Sequence, residues 1–192
     1  MLSPRALLGS RSNLLKLCPT VVGLAAVSWW CKDWLAHLFV PIFDWQLSHL
    51  CAPGTFDRVQ YIDKGHASIL EAVVRVTLPA REPMGEIEIN SSTLVGHIAQ
   101  YPILALSLVA GWQGLSLRAR VLGGTVALLA CALAVCVDIP FVLAGSLDDF
   151  VQFNLQGRDQ PSSALISWME FLNGGGRLLL ALLVGVIAAN LA

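Results

Sequence analysis

The chain has 192 residues, of which 56% are hydrophobic and only 13% are charged, and its mean hydropathy is +0.68. Soluble domains carry about 25% charged residues, so this composition excludes an ordinary soluble domain and predicts a polytopic membrane protein. The formal net charge is -1, and the sequence has no basic stripe that would neutralise phosphates, which argues against a nucleic-acid partner.

Four apolar segments are long enough, or nearly so, to cross a bilayer as helices of about 20 residues. They lie at about residues 14–40, 93–113, 119–143 and 165–191. Basic residues without acids precede the first segment and fill the loop between the second and third, so both places and both termini are predicted to be cytoplasmic. These residues are Arg5, Arg11 and Lys16 in the first place, and Arg118 and Arg120 in the second. We expect an integral protein of a bacterial-type inner membrane, with the first segment kept as an uncleaved anchor.

A polar region at about residues 44–92 changes from helical periodicity to alternation. In ASILEAVVRVTL, apolar residues alternate with Glu71, Arg75 and Thr77, which predicts a half-buried strand. FDRVQYI precedes it across a turn at residues 63–65, and GEIEIN follows it after PAREPMG. The predicted fold is therefore an α-helical polytopic membrane protein of about four transmembrane helices, with a small extracytoplasmic antiparallel β-meander between the first and second.

The predicted organisation has three parts. Residues 1–43 form the cytoplasmic N-terminus and the first span, residues 44–92 the meander, and residues 93–192 the remaining spans, with an extracytoplasmic loop at about 146–164. A sheet of three strands needs a cover for its apolar face. The candidates are the segment at 44–56, the loop at 146–164, or a partner subunit, and an open sheet edge would invite a strand from another chain.

Counting residues from the cytoplasmic ends places polar groups of all four helices at one level near the outer membrane face. Ionisable groups at this depth usually pair or line wet cavities, and Arg177 is predicted to pair with Asp138 or Asp33. Two interpretations stay open: a site for a lipid headgroup, a peptide or an ion, or a set of polar contacts at headgroup depth that fasten the bundle. The predicted outer-face polar cluster consists of Asp33, His37, His97, Asp138, Glu170, Asn173 and Arg177.

The fourth segment also carries a stripe of small residues. Ala181, Gly185 and Ala189 repeat every four residues, so they share one helix face on which another helix can pack closely. The three glycines at 174–176 precede this stripe, and they predict either a hinge or a close backbone contact.

Motifs for catalysis and for metals are weak in this sequence. His37, His49, Cys51, His66 and His97 suggest zinc or copper by residue type, but their spacing suits no metal site. Cys51 with a nearby histidine suggests a thiol protease on paper, but no oxyanion hole is visible. A mid-span histidine for a haem or pigment is also missing. We therefore predict no catalytic residue, no metal and no cofactor.

The stretch INSSTLVGHIAQYPILALSLVAGWQGLSLRARVLGG, residues 89–124, places a strand, a loop, a proline-containing span and an arginine-rich turn in close succession. In this layout the chain resembles the small membrane proteins that accompany exosortase-type sorting systems. The resemblance implies a non-catalytic accessory protein. The residues themselves favour an accessory or assembly subunit of a larger complex, because the strands need a cover, the fourth segment has a small-residue packing face and no reaction motif is present. Other membrane-protein subunits and lipid are the expected partners, in a homo- or hetero-oligomer. The alternative from the residues themselves is an intramembrane enzyme or an ion- or proton-handling protein that uses the polar cluster.

Overall fold

The computed structural model describes residues 11–52, 55–76, 87–153 and 163–192, and it describes side chains from residue 18 onward. The predicted connection PAREPMG and residues 154–162 of the predicted loop at 146–164 lie outside these ranges. The described elements are five α-helices, one short π-helical segment and three strands. In chain order they are α1 (Arg11–Leu50), β1 (Phe56–Asp63), β2 (Ser68–Val76), β3 (Ile87–Leu94), α2 (Gly96–Gly111), α3 (Leu117–Val151), α4 (Ala164–Phe171), the π-helical segment Leu172–Gly176, and α5 (Arg177–Leu191).

The first helix is longer than the first predicted span. α1 has 40 residues and continues through Pro41 to Leu50, so it is about 60 Å long at 1.5 Å per residue. A proline removes one helical hydrogen bond without ending the helix when neighbouring contacts hold the chain. The second half of α1 has such contacts, since Phe43 and Leu47 are fully buried.

Two of the four predicted spans are long and apolar enough to cross a membrane. They are Leu117–Val151 and Ala164–Leu191, with mean hydropathies of 2.6 and 1.8 over their best windows. α2 has only 16 residues, and the described part of α1 does not meet the same criteria. The number of spans that length and composition support among the described helices is therefore two.

The predicted three-stranded antiparallel sheet is confirmed. The strand order is β1-β2-β3, with both neighbouring pairs antiparallel. At the first turn the backbone N–H of Lys64 donates to the carbonyl of Ala67 at 3.0 Å, and the N–H of Gly65 donates to the Asp63 carboxylate at 2.8 Å. Gly65 has a φ of +78°, which explains why glycine occupies this turn position.

The central strand is more buried than the alternation in its sequence predicts. Leu70, Ala72 and Val74 are buried on the face that the pattern assigns to the core, but Ile69 and Val73 on the opposite face are buried as well. The prediction of a half-buried strand was therefore wrong for β2. Side chains of the two neighbouring strands cover the side chains of a central strand and lower their exposure to solvent. The alternation of residues within one strand does not reveal this effect.

The chain divides into two compact units. The first consists of Met1–Lys32, Ile98–Val135 and Gly176–Ala192, and the second consists of Asp33–His97 and Cys136–Gly175. The first unit is helical in its described part, whereas the second contains the sheet, the second half of α1, the end of α3, and α4.

The small-residue stripe of α5 packs inside the first unit. Ala181, Gly185 and Ala189 are all buried. A Cβ added to Gly185 would lie 3.0 Å from both the Cα and the carbonyl oxygen of Ala105 in α2. The stripe therefore serves the contact between two helices of this chain, and a partner would have to use other surfaces.

The three glycines that precede α5 form a kink. Gly175 has φ 113° and ψ -2°, outside the helical region, and a Cβ added to Gly174 or Gly175 would meet no heavy atom within 4 Å. The glycines are thus explained by backbone conformation at Gly175 rather than by a close contact. The boundary between the two compact units along this helix also lies here, between Gly175 and Gly176.

The end of α3 and the start of α4 approach closely in the second unit. A Cβ at Gly145 would lie 2.6 Å from the carbonyl oxygen of Leu165 and 3.0 Å from the Cβ of Met169. Real Cβ atoms do not come so close to a backbone oxygen, so even one methyl group would push the helices apart.

We predict that Gly145→Ala lowers the free energy of unfolding by about 1–3 kcal/mol, the usual cost of overpacking. Gly23→Ala is the matched control, because Gly23 is exposed on α1 and has no atom within 4 Å of a Cβ. It should be neutral or stabilise by up to about 1 kcal/mol. Thermal unfolding in detergent, followed by circular dichroism, measures both. Equal stability of the two variants would contradict the close approach.

Candidate functional site

The polar stripe predicted on α1 lies against strand β1 of the sheet. The Tyr61 hydroxyl of β1 is 3.0 Å from the Asp33 carboxylate oxygen Oδ1 and 3.0 Å from the Ser68 hydroxyl of β2. A phenol has one proton, and a carboxylate only accepts, so Tyr61 donates to Asp33 and Ser68 donates to the Tyr61 oxygen. This chain of hydrogen bonds joins α1 to two strands.

The imidazole of His37 packs on the same tyrosine. Its ring centroid is 4.4 Å from that of Tyr61, with the planes tilted by 44°. His37 follows Asp33 by one helical turn, so both side chains reach Tyr61 from one face of α1. Because His37 is exposed, its contact is with the rim of the sheet rather than with a buried core.

Asp44 binds one backbone group of the edge strand β1. Its carboxylate Oδ1 accepts a hydrogen bond of 2.8 Å from the backbone N–H of Val59 in β1. β1 is an edge strand, so this N–H has no strand neighbour to receive it. A charged acceptor makes the bond shorter and stronger than a neutral one and protects the edge from a further strand.

Side chains from two other helices donate to carbonyl groups of α3 just before Pro140. The carbonyl of Cys136 would accept from residue 140 in a regular helix, but proline has no N–H. Gln46 Nε2 of α1 donates to this carbonyl at 3.2 Å, and Trp168 Nε1 of α4 donates to the adjacent carbonyl of Val137 at 3.3 Å. Pro140 thereby supplies the acceptor through which Gln46 of α1 binds α3, and Trp168 of α4 binds the neighbouring carbonyl.

Six of the seven residues of the predicted outer-face polar cluster belong to the second unit, and Arg177 belongs to the first. Asp138 is fully buried and Arg177 is 6% exposed, whereas Asp33 and His97 are half-buried. His37, Glu170 and Asn173 are exposed. The pairing of Arg177 with Asp138 or Asp33 stays a prediction.

The structure brings part of this cluster together around the sheet. Asp33 and His37 meet at Tyr61, and His97 Nδ1 lies 3.1 Å from the Thr93 hydroxyl of β3. Thr93 and Tyr61 both pair with Leu70 in the strand register, so they share one face of the sheet. The contacts of α1 and of the start of α2 are therefore made to the same face.

Sequence reasoning missed Tyr61, Gln46 and Trp168 as members of this arrangement. A signal for Gln46 was present, since a proline inside a helix frees the carbonyl four residues earlier and creates a demand for a donor there. Tyr61 had no comparable signal, because only the packing of the sheet on α1 brings it to Asp33.

The histidines and cysteines do not come together. Within the described ranges, no three residues of the types His, Cys, Asp and Glu form a group that could hold a metal ion. His49 bonds locally, with Nδ1 2.7 Å from the Trp45 carbonyl, and His66 is exposed in the first turn of the sheet. Burial raises the pKa of the Cys51 thiol, which lowers its thiolate fraction and hence its reactivity at neutral pH.

Comparisons of the chain with family models, with curated proteins and with solved structures found no match. The residues and their geometry are therefore the basis for the function proposed below.

We predict that Tyr61→Phe and Asp33→Ala are coupled by about 1–2 kcal/mol, because either change alone breaks their hydrogen bond and the second then costs less. A double-mutant cycle in thermal unfolding measures the coupling. Tyr61→Phe with Asp63→Ala is the control cycle, since Asp63 bonds within its own turn, and its two effects should add within about 0.5 kcal/mol. Additive effects in both cycles would refute the role of the Tyr61 bond.

We also predict that Gln46→Met costs less in a Pro140→Ala background than in the native chain, by about 1 kcal/mol. Alanine at 140 supplies the backbone N–H that the Cys136 carbonyl lacks, so the Gln46 amide is no longer needed there. The same unfolding assay on the two single variants and the double variant gives the difference. An unchanged cost of Gln46→Met would show that Pro140 is not the reason for the contact.

Proposed function

We propose that this chain is a non-catalytic accessory or assembly subunit of a larger membrane complex. The observation that carries the proposal is the hydrogen bonding of α1 to β1. Asp33 and Asp44, the polar groups that a reaction or an ion site at the second half of α1 would need, bond to Tyr61 and to the Val59 amide. These bonds hold the sheet on the helix, which makes it a fixed surface for other subunits.

The proposal includes four membrane spans with both termini in the cytoplasm and the sheet outside. Support for α1 as a span comes from its exposed tryptophans, Trp29, Trp30 and Trp34, which are 65%, 87% and 67% exposed. Tryptophan is enriched where a bilayer meets water. Lys32 lies over the Trp29 ring, 4.9 Å from its centroid, so its charge has a favourable contact at this level.

α2 is the shortest of the four proposed spans. Its 16 residues rise about 24 Å, less than the roughly 30 Å of a hydrocarbon core. A short span is accommodated when the bilayer thins locally or when neighbouring helices shield its ends. α2 is shielded in this way on at least one side, since α5 packs on Ala105 through Gly185.

Cysteine labelling tests this topology. With the native cysteines replaced, Lys64→Cys in the first turn of the sheet and Arg118→Cys at the start of α3 are matched positions, because both are exposed. A membrane-impermeant maleimide added to intact cells should label the first and spare the second until the membrane is opened. Labelling of both from outside would contradict the four-span arrangement.

Exposed apolar side chains give the helices surfaces for lipid or for other subunits. α3 exposes Leu129 and Leu133 at 65% and 69%, and α5 exposes Ile187 at 55%. Lipid and the helices of partner subunits both cover such surfaces in a membrane. The outer sides of these helices can therefore contact membrane-protein partners, while their inner sides pack against other parts of the chain.

An ion- or proton-handling role is the second candidate, and Asp138 is the observation that favours it. This carboxyl group is 0% exposed and lies on α3, about 32 Å from its first residue. Buried acids in membrane helices often mark ion pathways. Asp138→Asn keeps the shape of the side chain, so a loss of ion or proton flux into vesicles with unchanged thermal stability would favour this candidate over the accessory role.

The accessory role is tested by the size of the native assembly. The chain has a mass of 20.6 kDa, and we expect it to migrate in mild detergent from its own membrane as a discrete species much larger than this plus a micelle. The control is the same chain expressed alone, which should run as the small species. The accessory role would be refuted if the chain from its own membrane and the chain expressed alone both migrated as a single chain and retained an enzymatic or transport activity.

A further inference from the structure

The two edges of the sheet differ in what their backbone groups contact. Val95 N donates to the Ser68 carbonyl at 3.0 Å, which sets the pairing between β2 and β3. Hydrogen-bonded pairs alternate along antiparallel strands, so the N–H and C=O groups of every second residue of β3 point away from β2. These outward residues are Glu88, Asn90, Ser92 and Leu94.

Within the described part of the chain, the outward backbone groups of β3 have no hydrogen-bond partner, whereas one outward group of β1 has one. At β1 the Val59 N–H donates to Asp44. The backbone groups of Asn90 and its outward neighbours make no hydrogen bond to another residue in the ranges 11–52, 55–76, 87–153 and 163–192. Glu88, Asn90, Ser92 and Leu94 are exposed as well. One edge of the sheet is thus left with the donors and acceptors that an additional strand requires.

A cleft of about 220 Å³ adjoins this open edge within the second unit. It is formed between β3 and the end of α3, and its lining includes both apolar rings and polar groups. Such a cleft has room for an apolar side chain of a strand laid along β3. The lining residues are Ile89, Asn90, Ser146, Leu147, Asp149 and Phe150, with Phe153.

The charges around the cleft are acidic. β3 and residues 146–153 contain three acids, Glu88, Asp148 and Asp149, and no base. Arg75 stands opposite Glu88 in the register of β2, but its guanidinium donates to Asp57 at 3.2 Å, toward the β1 side of the sheet. An occupant with basic side chains would therefore be complementary in charge, and a second copy of β3 would bring Glu88 toward acids.

We propose that the β3 edge binds an extended, basic segment of a partner protein by strand addition, with an apolar side chain of that segment in the cleft beside Phe150. This inference rests on the proposed function, because it names the surface and the kind of partner that an accessory subunit would use. The backbone edge provides hydrogen bonds for any extended chain, and the cleft with its acidic rim selects among such chains.

The probe is a fluorescent eight-residue peptide of alternating valine and lysine, added to the full chain in detergent, with empty micelles as the blank. Anisotropy should show saturable binding, and replacing lysine by glutamate should weaken it at least tenfold. N-methylation of the alternate amides that would donate to β3 should abolish binding, whereas N-methylation of the other set should leave it nearly unchanged. Equal binding of the two methylated peptides would overturn the proposal, and this comparison requires no variant of the protein.

Variants of the chain locate the binding. Asn90→Pro removes one outward N–H while leaving the bonds to β2, and Asp149→Asn removes a charge at the cleft. Each variant should therefore weaken binding of the lysine peptide several-fold. Asp63→Asn is the matched control, because it removes an acid at the far turn and keeps an acceptor for the Gly65 amide. The proposal would be overturned if Asp63→Asn weakened binding as much as Asp149→Asn does. It would also be overturned if two copies of the chain formed a dimer through β3 in the absence of peptide.

The inference and the proposed function fail in different ways. If Asn90→Pro abolishes peptide binding but the native assembly keeps its size, the accessory role stands and the assembly uses another surface, so the β3 proposal is overturned. If the peptide binds as expected but no native assembly exists, the accessory role fails. Both results come from separate measurements on the same purified chain.

Discussion

The hydrogen bonds between α1 and β1 are the constraint on which the second unit depends. Three strands are near the minimum for a stable sheet, and α1 supports them through the Asp33–Tyr61 bond and the Asp44–Val59 bond. A carboxylate on an apolar helix is costly unless hydrogen-bond donors contact it. The sheet supplies these donors to the carboxylates of α1, and the carboxylates in turn accept from groups of the sheet that need a partner. The Asp44–Val59 bond also occupies one outward N–H of β1, whereas the outward groups of β3 have no hydrogen-bond partner among the described residues.

Proline has a comparable role among the helices. Pro140 removes the donor that the Cys136 carbonyl would use, and an unmet carbonyl inside a bundle costs about 1–3 kcal/mol. Gln46 donates to the Cys136 carbonyl, so the defect becomes a cross-link between α1 and α3, and Trp168 of α4 donates to the adjacent Val137 carbonyl. Gly145 adds the reverse case, in which the absence of a side chain lets α3 touch the backbone of α4. Both features make the end of α3 the common attachment for α1 and α4.

The extent to which the sequence predicted the site differs between residues. The spacing of Asp33 and His37 placed them on one helix face, and the structure directs both toward Tyr61, because helical periodicity is a local property. Tyr61 itself was not predicted, since strand alternation gives the face of a residue but not the element that the face meets. The burial of Ile69 and Val73 was missed for the same reason, as it depends on neighbours from other strands.

The sequence by itself determined the apolar composition, the segments that become helices, and the three antiparallel strands, because hydrophobic periodicity and turn residues act over a few positions. Tertiary structure decided which polar groups meet and which surface stays open. Asp44 reaches the Val59 amide only when α1 continues past Pro41. That continuation depends on the burial of Phe43 and Leu47, so the bond at the β1 edge is a consequence of packing between distant parts of the chain.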